Sequence, residues 1–118
     1  MKQRVVVTGL GMISPVGLDV ASSWASICAG RSGVATITDF DASTFRAQIA
    51  ATVKNFDPTR YLSAKEARRN DLFIQYGFAA ATQALRQAGL DQLRDGDPAL
   101  THRMGVILGS GIGGLPLI

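Results

Sequence analysis

The sequence holds a single cysteine and a single histidine in 118 residues. One cysteine forms no internal disulfide, and one histidine beside it falls short of the usual set of zinc ligands, so disulfide scaffolds and zinc modules are excluded. Long apolar runs are missing as well. No stretch reaches the roughly 18 uninterrupted apolar residues of a membrane-spanning helix, because Gly, Ser or Pro breaks each run. Charged residues make up 18% and aromatics 7%, against 47% hydrophobic residues. That balance excludes intrinsic disorder and suits one compact domain or part of a larger one. The N-terminus has the positive start of a signal peptide, but Thr8, Gly9, Gly11, Ser14 and Pro15 interrupt what would be its apolar core. A cytoplasmic chain that begins with a buried strand is expected instead.

Glycine is plentiful at 13 residues, which points to backbone elements that approach one another closely. The net charge of +3 is concentrated: between positions 60 and 69, Arg60, Lys65, Arg68 and Arg69 stand against Glu66 alone, so this stretch carries the whole excess. A local basic face on a neutral body fits one acidic partner better than nucleic acid. Nucleic acid calls for stacking aromatics or a longer basic track, and Tyr61 is the only aromatic in the stretch.

The apolar, largely β-branched run Arg4–Thr8 enters Gly9 as a doubly buried strand of a mostly parallel sheet would. Gly9–Gly17 is a turn-rich loop. Asp19 then caps a helix that carries Val20, Trp24, Ile27 and Cys28 on one face and ends at Gly30. Residues 47–53 alternate as a half-buried strand does. Ser63 and Glu66 form a capping box that starts a short helix at Ala64. Asn70–Ala88, Ala-rich and apolar nearly all round, reads as a helix buried on most sides and closed by Gly89. Residues 91–103 read as a polar connection, and Met104–Leu108 as another strand. The order strand, helix, strand, two helices, strand predicts an α/β fold. The apolar end Leu115–Ile118, with no closing helix after it, reads as the end of a fragment.

Chemistry-bearing motifs are few. Gly9-Leu10-Gly11 after a strand invites a dinucleotide reading, but Ser14 takes the third glycine's place and no acidic residue follows about 20 positions on. Gly109–Gly114 places four glycines in six positions, yet no Lys-Ser or Lys-Thr follows as a phosphate loop requires. Its plain reading is a close backbone crossing. Ile112, the one bulky side chain there, is a candidate wall or stopper of an apolar channel. Cys28 reads as an inert core thiol and His102 as a surface or capping residue. No nucleophile and base pair stands out. Lys65, Arg68 and Arg69, at i, i+3 and i+4, share one helix face, and on composition alone a solvated face is the simpler account of them.

Arg4–Gly17 (RVVVTGLGMISPVG) resembles the opening of the β-ketoacyl-acyl carrier protein synthases. Phe73–Gly77 (FIQYG) and Gly109–Leu115 (GSGIGGL) resemble two further segments of that family, in the same order. The similarity runs over essentially the whole chain and is nearest to the bacterial type II synthases. It implies the N-terminal part of a thiolase-like layered α/β/α/β/α fold, residues 1–118 being an incomplete N-terminal portion of that domain. It also implies a cytoplasmic enzyme, homodimeric at full length, acting on acyl and malonyl thioesters of an acyl carrier protein, with no metal or other cofactor. The family's catalytic cysteine and histidines match nothing here, so neither Cys28 nor His102 takes a catalytic role and the fragment alone is expected to be inactive. Two sites carry over. Lys65, Arg68 and Arg69 match the basic segment that meets the acidic carrier protein, and Ile112 matches an isoleucine that lines the acyl pocket near the dimer interface. Two other readings remain: a polyketide ketosynthase or its chain-length partner, and a non-catalytic carrier-binding fragment.

Overall fold

The computed structural model describes residues 2–91 and 98–114. The chain divides into two compact units, Met12–Phe56 and a larger one built from Met1–Gly11 with Asp57–Ile118.

In the smaller unit a tight turn precedes the first helix: Ser14 N–H donates to the Gly17 carbonyl at 2.9 Å and Gly17 N–H returns the bond at 3.3 Å. Helix α1, Val20–Cys28, starts where the sequence places it. Asp19 Oδ1 accepts from Ser22 N–H at 2.7 Å, and Ser22 Oγ accepts from Asp19 N–H at 3.3 Å. This reciprocal cap satisfies amides that the first turn leaves orphaned. Gly30, at φ +65°, closes the helix. Its N–H bonds the Ile27 carbonyl and that of Arg31 bonds Ser26, a Schellman closure that needs a left-handed residue. Strands β1, Ala35–Thr36, and β2, Ile49–Ala50, pair antiparallel with Ala35 opposite Ala50 and Thr36 opposite Ile49. The buried residues are small: Ser23, Gly33 and Ala42. A Cβ at Gly33 would lie 2.8 Å from that of Pro15, so close backbone approach takes the place of a large apolar core here.

The larger unit is helical. A 3₁₀ turn at Pro58–Arg60 leads to α2, Ala64–Arg69, and then to α3, Leu72–Gln87. Gly89, at φ +70°, closes α3 with the same Schellman pattern as Gly30: its own N–H reaches the Arg86 carbonyl and that of Leu90 reaches Leu85. Gly9 and Gly11 lie against α3 at Ala84 and Ala80, where any Cβ on either glycine would run into a helix carbonyl. The alanines of α3 therefore form a shallow track for the glycine segment, and Leu10 N–H donates to Gln87 Oε1 beside it.

Four expectations are corrected. Neither Arg4–Thr8 nor Met104–Leu108 enters a ladder; Val5 is 94% and Ile107 98% exposed. Their composition is that of strands, but a strand exists only with a hydrogen-bonded neighbour, and the described residues supply none. Among the described residues the order is thus helix, two short strands and three helices, in place of alternating strands and helices. Second, α3 is not buried on most sides: only Gln75 and Ala79 are buried, and Leu72, Phe73, Ile74, Phe78 and Leu85 are all exposed. Third, Cys28 is exposed, as are its face-mates Trp24 and Ile27, because no described residue covers that face of α1 enough to bury it. Fourth, the 91–103 connection contains helix α4, Pro98–Thr101, which proline at its first position favours; residues 92–97 lie outside the described set.

Candidate functional site

Three features of the larger unit concern function: a basic helix, an apolar cavity and a glycine-rich loop. The basic helix owes its start to Ser63 and Glu66. Ser63 Oγ accepts from Glu66 N–H at 3.2 Å, and Glu66 Oε2 accepts from Ser63 N–H at 2.9 Å and from Ser63 Oγ at 2.6 Å. The Ser63 hydroxyl, followed by its backbone N–H, holds the Glu66 carboxyl below its ordinary pKa. The only acid on α2 is therefore taken up by its cap. Lys65, Arg68 and Arg69 are exposed as the spacing predicts, and among the described residues no ion pair engages them.

What orients α2 is a residue that pattern reading passed over. Gln75, 7% exposed, donates through Nε2 to the carbonyls of Ala67 at 2.8 Å and Asn70 at 2.7 Å. It ties the C-terminal end of the basic helix to the first turn of α3. Gln83 Nε2 donates to the Tyr61 hydroxyl at 2.9 Å and anchors the turn just before α2. A polar residue inside an apolar helical run was the available signal for Gln75.

The cavity, about 440 Å³, opens on one face of α3. Phe73, Ile74, Gly77, Phe78 and Ala81 form that wall, at the spacing of successive helical turns. Val106, Leu108, Gly109 and Ser110 form the other. The lining is almost wholly apolar and suits a hydrocarbon chain.

The glycine loop continues from that second wall. At Gly109 and Gly111 an added Cβ would meet nothing within 4 Å. Gly113, at φ +83°, lies over the Phe73 ring, and Gly114 lies against the Asp71 carboxyl group. The close backbone crossing expected of this cluster is not found among the described residues: only its last two glycines have neighbours, and these are the Phe73 and Asp71 side chains. Ile112 stands two positions past Ser110 and is 78% exposed; it does not itself line the cavity. Asp71, like Gln75, was missed, although an Asp just before an apolar run is a helix-start signal.

Cys28 and His102 fall in different units, both exposed. Among the described residues no cluster of three His, Cys, Asp or Glu side chains is placed to hold a metal, and no helix is long and apolar enough to cross a membrane.

Known proteins resemble this chain closely. The family model for the N-terminal domain of beta-ketoacyl synthase matches residues 2–116. The "3-oxoacyl-[acyl-carrier-protein] synthase 2" of Vibrio harveyi is 53% identical over 117 residues, which is 99% of this chain and 27% of that protein. The proteins of the same name from Vibrio cholerae and Coxiella burnetii are 52% and 48% identical over the same shares. The chain thus spans about a quarter of the length of these relatives. A solved structure titled "The ishigamide ketosynthase/chain length factor" superposes with a TM-score of 0.67 at 38% identity, covering 76% of this chain and 22% of that one. With a match to the N-terminal domain model that runs from residue 2 to residue 116, the chain belongs to the beta-ketoacyl synthase family.

Proposed function

We propose that these residues are the N-terminal portion of a 3-oxoacyl-acyl carrier protein synthase of fatty acid elongation. The observation that carries the reading is 53% identity to a synthase of that name over 99% of the chain. The complete protein would be a cytoplasmic homodimer of thiolase-like layers.

The chemistry is a decarboxylating Claisen condensation in two half-reactions. A cysteine thiolate attacks the acyl thioester of one carrier, forming an acyl-enzyme and releasing the carrier thiol. Loss of carbon dioxide from a malonyl carrier then leaves a carbanion that attacks the acyl-enzyme, which returns the cysteine and gives the 3-oxoacyl carrier. That cysteine and the assisting histidines match no residue of this chain. The present residues are assigned to recognition. Lys65, Arg68 and Arg69 meet the acidic carrier, with Glu66 withdrawn into the cap. Ile112, which stands outside the cavity formed by these residues, is assigned to the wall of the acyl pocket in the complete protein, where it yields to longer chains.

The deciding experiment supplies the full-length protein with acyl and malonyl carriers. A 3-oxoacyl carrier and carbon dioxide are expected, and an intact protein that makes neither overturns the reading. Docking is tested by Lys65→Glu with Arg68→Glu, which should weaken carrier association at low salt and lose its effect as salt screens charges beyond about 8 Å. Unchanged affinity at low salt would return these cations to the role of a solvated face.

The likeness to a ketosynthase/chain length factor structure favours a second reading, a polyketide ketosynthase or its chain-length partner. The residue at the downstream nucleophile position separates them, since the partner subunit lacks the cysteine. Repeated condensation without reduction would identify the polyketide enzyme.

A further inference from the structure

We propose that Asp71 is a positioning residue for the glycine-rich loop and, through it, for Ile112, so that it takes part in setting acyl chain length; this rests on the reading of Ile112 as a pocket residue. Asp71 caps α3 with one oxygen only, Oδ1 accepting from Leu72 N–H at 2.7 Å. A cap needs no more than that, and serine serves nearly as well. The second oxygen, Oδ2, is buried and has no hydrogen-bond partner among the described residues. A buried acceptor left unpaired is costly, so its retention calls for an explanation.

The explanation lies at Gly114. The carboxyl group occupies the volume that any side chain at position 114 would need, Oδ2 being the nearest atom, followed by Cγ and Cβ of the same residue. Next to it, a Cβ at Gly113 would come to 3.5 Å from Phe73 Cζ. Asp71 and Phe73 therefore form a seat at the start of α3 for the last two glycines, whereas Gly109 and Gly111 stand in open space. The loop is located at this end, and Ile112 is the residue immediately before the seat. A carboxylate oxygen that contributes nothing to the cap contributes shape: it fixes how far the loop approaches α3. The required glycine at 114 is the other half of the same fit.

Three variants of the full-length protein test this. Asp71→Ser keeps a capping oxygen and removes the bulk at Gly114. Asp71→Asn keeps both positions. Gly114→Ala disturbs the fit from the loop side. Two quantities are measured: the ratio of acylation rates with long and short acyl carriers, and amide hydrogen exchange over residues 109–114. Asp71→Ser and Gly114→Ala are expected to shift the ratio by about fivefold or more, as small misplacements at a reactive site do. They should also speed exchange in the loop by about tenfold while α3 stays protected. Asp71→Asn should restore both. The proposal is overturned if Asp71→Ser leaves loop exchange unchanged, if exchange rises equally along α3, or if Asp71→Asn is as defective as Asp71→Ser. If Ile112→Phe fails to move the ratio in the same assay, the pocket reading falls, and loop exchange still judges the seat.

Discussion

The glycines that open the chain and those that end the described residues answer different demands. Gly9 and Gly11 are pressed onto the α3 backbone, where a Cβ has nowhere to go. Gly109 and Gly111 face open space, and only Gly113 and Gly114 are constrained. In the first cluster glycine serves packing between two backbones. In the second it serves conformation and clearance at one end of a loop whose other glycines are sterically free. Glycine content therefore does not reveal function; what surrounds each Cα does.

Substitutions put that contrast to the test, each in the full-length protein. The largest effect is expected for Gly11→Ala. Its Cβ meets a carbonyl of a helix, which cannot swing away as a side chain does, so a loss of about 3 kcal/mol, at the upper end of overpacking costs, is expected in denaturant unfolding. A loss no greater than at Gly111 would erase the distinction between the clusters. Gly113→Ala comes next, at about 1 kcal/mol for a side chain forced to positive φ. A similar cost at Gly109 would mean that the whole loop is constrained. Ile112→Phe should leave unfolding nearly unchanged and slow acylation by long carriers more than by short ones; a uniform loss across lengths would make Ile112 structural. Smallest is Gly111→Ala, within about 0.5 kcal/mol as for an open surface site. A greater loss would reveal packing against parts of the full-length protein.

The features legible in the sequence were those completed by near neighbours. Asp19, Ser63 with Glu66, Gly30 and Gly89 each act within a few residues of themselves, and each boundary stands where the sequence puts it. The cationic trio was legible for the same reason, since helical spacing fixes its face. Strands and burial depend on distant partners. Val5–Val7 read as strand from composition and find no ladder; Cys28 read as buried from its face-mates and is exposed. Residues 47–53 alternate over seven positions, yet the ladder holds only Ile49 and Ala50, opposite Thr36 and Ala35, with one further bond from Ile37 N–H to the Gln48 carbonyl. Gln75 and Asp71 went unread because their meaning lies in the carbonyls and the glycine they meet, which no local pattern shows.

The bonds from Gln75 to Ala67 and Asn70 also bear on mimicry. Helix α2 has six residues, far short of the roughly 12–15 at which isolated helices begin to persist in water. A synthetic peptide copying residues 63–70 would keep the charges and lose the orientation that α3 imposes on them. An inhibitor built to intercept an acidic partner at this face would need both helices and the buried glutamine between them, because the basic surface is the visible side of a two-helix unit.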